Sequence, residues 1–198
     1  MDMREESKAM NMSRRLFMKT GLIMSATAAS GLIMPKNASA TPARQLFTNI
    51  NEPRLISFRN LHTGEIFTGP YKMGDAYIPD SLKKISYTLR DHRTGDAIDM
   101  DQDLFDYLHA LKVSVNKDND FVVLSGYRSP KTNEMLRRKT EGVARNSYHT
   151  KGRAVDIRMP GVDTRKLQLA AENLRLGGVG HYISSGFIHL DTGPIRTW

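Results

Sequence analysis

Apolar and polar positions alternate from residue 54 onward in two distinct rhythms. Leu55-Ile56-Ser57-Phe58-Arg59-Asn60-Leu61 reads as a strand, His62-Thr63-Gly64 as a turn, and Glu65-Ile66-Phe67-Thr68 as the returning partner. Pro79, tolerated in a first helical turn, opens a helix predicted to reach about His92, where Arg93-Thr94-Gly95-Asp96 ends it. From Asp101 to Val115 the period changes: Leu104, Leu108, Leu111 and Val115 fall on one helical face. Phe121-Val122-Val123-Leu124 is short and apolar throughout, the mark of a buried strand. A loop, Ser125-Gly126-Tyr127-Arg128-Ser129-Pro130, leads to a polar helix ending near Lys139, and residues 142–152 form a second loop. Ala154 to Met159 is a strand, and Asp163-Thr164 caps a helix expected to run to Leu176 before Gly177-Gly178 stops it. Gly178–Tyr182 and Phe187–Asp191 close the chain as two strands around Ser184-Ser185-Gly186. The pattern predicts one α+β domain over residues 54–198, with helices packed on a mainly antiparallel sheet.

Two of these strands carry chemistry. In Ala154–Met159 the residues Val155, Ile157 and Met159 share one face, and Ala154, Asp156 and Arg158 share the other. In Phe187–Asp191, Ile188 and Leu190 oppose Phe187, His189 and Asp191. Aspartate is a poor strand former, and a buried carboxylate without a partner is costly, so something should hold Asp156. If the two strands are neighbours, Asp156 and His189 point to one spot, and His149 lies in the loop that feeds the first strand, where Gly152 permits a tight turn. Two histidines and one carboxylate are a three-ligand zinc set with a fourth position open, the arrangement of catalytic sites. A capped loop histidine and a salt-bridged aspartate would share the seven-residue spacing; the matching strand bearing His189 is what favours ligation.

Composition narrows the setting. Ser13-Arg14-Arg15-Leu16-Phe17-Met18-Lys19 is a twin-arginine pattern, followed by a weakly apolar stretch from Thr20 to Met34, Pro35, and Ala38-Ser39-Ala40. Basic region, apolar region and small-x-small site in that order predict a secretory signal over residues 1–40 on the Tat route, with residues 41–53 as a flexible leader. An amphipathic first helix of a cytoplasmic protein is the alternative. The apolar stretch is too short for a stable membrane anchor. Residues 1–40 hold six of the 29 Lys/Arg and three of the 21 acids, which leaves +5 of the formal +8 on the exported chain. A modestly basic surface suits a polyanion, but no nucleic-acid motif is present and export argues against that partner. With no cysteine, disulfides, thiol catalysis and thiolate metal sites are excluded.

Ser147-x-His149-x-x-Gly152-x-Ala154-x-Asp156 resembles the S-x-H-x-x-G-x-A-x-D motif of the VanY/VanX-like zinc D-Ala-D-Ala peptidases, enzymes of the bacterial cell wall. Ser125-Gly126-Tyr127-Arg128-Ser129 is similar to their upstream S-G-Y-R-S segment, and His189 falls where their last ligand is expected. Leu61-His62-Thr63-Gly64-Glu65 and the ending His189-x-Asp191-Thr192-Gly193-Pro194-x-Arg196-x-Trp198 resemble more narrowly a Tat-exported, periplasmic, murein-cutting branch of that family.

The resemblance implies a hedgehog/DD-peptidase-like fold with its zinc site at the sheet, and one zinc ion held by His149, Asp156 and His189. Arg128 would steady the oxyanion or the substrate carbonyl, and Ser147 would bond a ligand residue, the substrate or its own loop. Tyr148 and Trp198 would line a groove or pack beside the site. The implied activity is periplasmic hydrolysis of peptide cross-links between peptidoglycan stem peptides. The alternatives are a D,D- or L,D-carboxypeptidase, or a non-catalytic murein-binding regulator. The partners implied are stem peptides and, for the precursor, the Tat machinery; the oligomeric state is open. One departure stands out. Many relatives place a proton-transferring residue two or three positions before the last ligand, where this chain has Phe187 and Gly186. Asp191 and His181 are the titratable substitutes, with Asp191 favoured as general base, or else as the partner that orients a ligand imidazole.

Overall fold

A computed structural model of the chain describes residues 52–198, so the twin-arginine segment and nearly all of the leader lie outside the described residues. The first strand starts two residues before Leu55: Pro53 opens β1 (Pro53–Asn60) and pairs with Met73 at the end of β2 (Ile66–Met73). A two-residue β3 (Ala76–Tyr77) extends that edge.

Helix α1 (Pro79–Thr88) stops four residues short of His92. Its last turn is drawn into other bonds: Asn60 Nδ2 donates to the Thr88 carbonyl at 2.9 Å, and the Leu89 carbonyl accepts from the Tyr127 amide at 2.7 Å. Helix α2 (Gln102–Val115) is capped by the Asp101 carboxylate, which accepts from the Asp103 amide. Then follow β4 (Phe121–Ser125), α3 (Pro130–Lys139), β5 (Ala154–Arg158) and α4 (Thr164–Leu174). Helix α4 ends before the paired glycines, because Arg175 takes the left-handed conformation at its C-cap. Strands β6 (Gly178–Tyr182) and β7 (Phe187–Asp191) lie where the sequence predicts, and Arg196–Thr197 adds β8.

Among the described residues, eight strands form one sheet in the order β3-β2-β1-β4-β5-β7-β6-β8. Five of its seven pairings are antiparallel; β1–β4 and β6–β8 are parallel. The first hairpin is thus part of the same sheet as the late strands. Ile56, Phe58, Val155, Ile157, Ile188 and Leu190 give the sheet an apolar face, on which Leu104, Leu108 and Leu111 of α2 and Leu167 and Ala171 of α4 close the core. Tyr107 in α2 places its hydroxyl on the Ala171 carbonyl of α4 at 3.0 Å, satisfying the one polar atom it buries. No helix among the described residues is long and apolar enough to cross a membrane.

Candidate metal centre

The register brings the predicted ligands together. Asp156 and His189 are direct partners across β5 and β7, on the face opposite the aliphatic core. His149 arrives from a single 3₁₀ turn, Tyr148–Lys151, whose first amides are capped by Ser147: its hydroxyl accepts from the His149 amide at 3.3 Å. Gly152 ends that turn with φ +65°, a conformation that a side chain would strain. The turn is joined to the preceding loop, because the Arg128 amide donates to the His149 carbonyl.

His149 Nε2, Asp156 Oδ1 and His189 Nδ1 form a buried triangle with sides of 3.2, 2.9 and 3.2 Å. The protons of both imidazoles are committed elsewhere. His149 Nδ1 lies 2.7 Å from the Gly126 carbonyl, and His189 Nε2 lies 2.9 Å from Asp191 Oδ2. A carbonyl and a carboxylate can only accept, so those nitrogens carry the hydrogens and the other two present lone pairs. Three lone pairs therefore converge on one point with no hydrogen between them, which is favourable only around a cation. The sides approach the edge of about 3.3 Å expected for tetrahedral ligands some 2.0–2.1 Å from zinc. Donor types, spacing and secured tautomers all fit that metal.

The electrostatics agree. Burial pushes the Asp156 carboxyl up, but His149 and His189 outweigh it and hold it far below the usual carboxylate range. Burial likewise lowers His149. At His189 burial is overcome by Asp156 and Asp191, which raise its affinity for a positive charge.

Arg128 closes one side, its Nη2 donating to Ser125 Oγ at 3.1 Å and to Asp156 Oδ2 at 3.2 Å. Its Nε is buried without a protein partner. Asp191 lies behind His189, fully buried, and also accepts from Arg196 (Nη2 at 2.6 Å, Nη1 at 3.0 Å) and from the Gly193 amide. These bonds outweigh its burial and keep the carboxyl ionised. The triangle forms the floor of a cleft of about 530 Å³ walled by Tyr148, Tyr182, Phe187, Trp198 and the loop after α3.

Residues 48–198 match the family model described as peptidoglycan L,D-endopeptidase MepK. The chain belongs to the MepK family. Over 148 residues it is 46% identical to a probable peptidoglycan L,D-endopeptidase MepK of Haemophilus influenzae, covering 74% of this chain and 80% of that one. Over 177 residues it is 38% identical to the peptidoglycan L,D-endopeptidase MepK of Escherichia coli K12, covering 89% and 94%. This membership makes the chain a metallopeptidase of the peptidoglycan-cleaving kind.

Within the MepK-family site, the sequence-predicted residues separate into two groups. His149, Asp156, His189, Arg128, Ser147, Tyr148 and Trp198 all line the cleft. His181 does not. It pairs with Ile188 on the core-facing side of β6 and meets Thr164 Oγ1 of α4 at 3.1 Å, on the opposite face of the sheet from His189. Asp191 faces the protected edge of His189 rather than the cleft, the geometry of an orienting partner. Tyr182 and Arg196 are cleft residues that the sequence reading passed over. The alternation used for β5 and β7, applied to β6, puts Gly178, Gly180 and Tyr182 on the site face and excludes His181.

Proposed function

We propose that the chain is a zinc-dependent endopeptidase that hydrolyses peptide cross-links between peptidoglycan stem peptides in the periplasm, with one zinc ion on His149, Asp156 and His189. The observation that carries this reading is the convergence of three lone pairs on the floor of an open cleft, in a chain of the MepK family. Zinc bound there would supply Lewis acidity, bringing the pKa of a water towards neutrality. The other tasks fall to the chain's own groups. The Gly126 carbonyl and Asp191 keep the two imidazoles in the tautomer and orientation that ligation needs. Arg128, secured at Nη2, is the cation that takes the scissile carbonyl oxygen as it gains charge, and a fixed guanidinium there is worth several kcal/mol. Asp191 is a positioning residue in this scheme, itself held by Arg196 and Gly193, and His181 takes no part. Ser147 shapes the ligand loop and Tyr148 walls the cleft.

Residues 1–40 act in the same reading as a Tat signal, with the exported chain beginning at Thr41. Changing Arg14 and Arg15 to lysine should then hold the precursor in the cytoplasm; normal export of that variant would remove the Tat route. The activity is tested by incubating zinc-loaded protein with intact sacculi and resolving the muropeptides. Loss of cross-linked dimers is the expected result. Shortened monomers with dimers intact would make the protein a carboxypeptidase, and binding without products would make it a regulator; either outcome refutes the proposal.

A further inference from the structure

The ending that resembles the cell-wall branch, from Asp191 to Trp198, wraps around His189 and does more than support Asp191. Strand β8 runs beside β6, and Trp198 exchanges backbone hydrogen bonds with Val179 and His181. Its indole lies against Gly180, where a Cβ would come within 2.6 Å of the ring, so only glycine admits it. From there the indole is 5.3 Å from the His189 ring, centroid to centroid, and its Nε1 donates to the Tyr182 hydroxyl at 3.3 Å.

Tyr182 is thereby held at both ends. Its ring stacks on Phe187 with centroids 4.6 Å apart and planes within 15°. Its oxygen accepts from the indole, and an indole N–H can only donate. The phenolic hydrogen is therefore not used by Trp198 and is available to a ligand. Tyr182 lines the same cleft as Arg128, Asp156 and His189. The cleft's carboxylate outside the triangle, Glu141, sits on the exposed loop after α3.

We propose that Tyr182 is a further catalytic residue: its hydroxyl donates a hydrogen bond to the scissile carbonyl oxygen as negative charge develops, beside Arg128, and Trp198 is the positioning residue that aims it. The O–H bond stays intact throughout, so no proton changes hands. This inference rests on the peptidase reading above.

The test is a double-mutant cycle on zinc-loaded protein with purified cross-linked muropeptides. Tyr182→Phe keeps the ring on Phe187 and removes only the hydroxyl. It should lower kcat by about a hundredfold, the usual loss for one preorganised oxyanion donor, with KM within about threefold and zinc content unchanged. It should also weaken binding of a phosphinate pseudopeptide, whose tetrahedral oxygens mimic the developing charge. Trp198→Phe should cost about five- to tenfold in kcat with Tyr182 present and nothing further once Tyr182 is phenylalanine. Turnover and phosphinate affinity of Tyr182→Phe within twofold of the parent would overturn the proposal, as would an equal cost of Trp198→Phe in both backgrounds. If the unmutated protein cleaves no cross-linked muropeptide, the functional reading fails, and phosphinate affinity still reports on Tyr182 by itself.

Discussion

Asp106 and Asp156 are both drawn into the fold by several polar groups, one on α2 against the β1–β2–β3 edge, the other in the middle of the sheet. Asp106 receives four donors: Arg54 Nη1 at 3.1 Å and the Tyr71 hydroxyl at 2.7 Å on Oδ1, Lys72 Nζ at 3.0 Å and the Tyr77 hydroxyl at 2.9 Å on Oδ2. Every neighbour brings a hydrogen, so the cluster is complete. Asp156 has the same crowding, but two of its three neighbours are imidazole nitrogens whose hydrogens point away. Burial raises both carboxyls, and in both it is outweighed. The difference lies in where the hydrogens come from: each neighbour of Asp106 brings its own, whereas the two imidazole edges facing Asp156 offer one only when they carry an added positive charge. A saturated carboxylate holds a fold together, whereas one facing lone pairs is a place for an ion.

One isosteric change separates the two. Asp156→Asn keeps an acceptor for Arg128 and removes the charge. It should cost at least a thousandfold in zinc affinity and abolish hydrolysis, while urea melts in chelator move little; metal analysis and muropeptide digests check this. Asp106→Asn should do the reverse. It turns an amide towards Lys72 and Tyr77 or towards Arg54 and Tyr71, and should cost about 3 kcal/mol of stability. The folded fraction should still bind zinc normally. A zinc defect in Asp106→Asn, or a collapse of stability in Asp156→Asn, would erase the distinction.

Asp191 stands between these cases, a saturated carboxylate that serves a ligand. Asp191→Asn should lower zinc affinity by about ten- to a hundredfold, and excess zinc should restore turnover. A zinc-replete but inactive Asp191→Asn enzyme would make Asp191 the general base after all. The smallest effect belongs to Asp91, a buried structural carboxylate between α1 and the N-terminus of α3. Burial pushes it up, but hydrogen bonds from Thr132, Ser129 and the amides of Arg93 and Ser129 bring it down to about 2. The unfolded chain binds this proton first, so the contribution is complete above about pH 4 and is lost as pH falls towards 2. Asp91→Asn should flatten that acid limb by about 1–2 kcal/mol in chelator, while an unchanged limb would remove Asp91 from the account.

Strand periodicity makes the face bearing Asp156 and His189 legible because β5 and β7 each have one purely aliphatic side, and the direct pairing of the two strands then aims the side chains at one another. The same rule rejects His181, whose neighbours in sequence include two glycines that blur the pattern of β6. The parallel pairing of β1 with β4 was not legible. It joins segments more than sixty residues apart through two helices, and no local residue choice encodes it. Helix α1 ends earlier than its local pattern implies because a long-range bond intervenes, Asn60 taking the Thr88 carbonyl, and α4 ends earlier because Arg175 turns left-handed. The tail's role escaped because Arg196 and Trp198 act across space, through Asp191 and Tyr182, at separations that carry no periodic signal.

The partnership of Asp156 with His189 across the β5–β7 pair bears on how the chain matures. A slip of one residue in that pairing would turn His189 to the helix side and leave two ligands instead of three. The closing contact spans 33 residues of chain, a stretch that includes α4 and β6, so the site depends on a non-local strand pairing. Metal uptake is then a check on assembly. A hydrolase built this way would have its complete site only once its sheet is correctly registered.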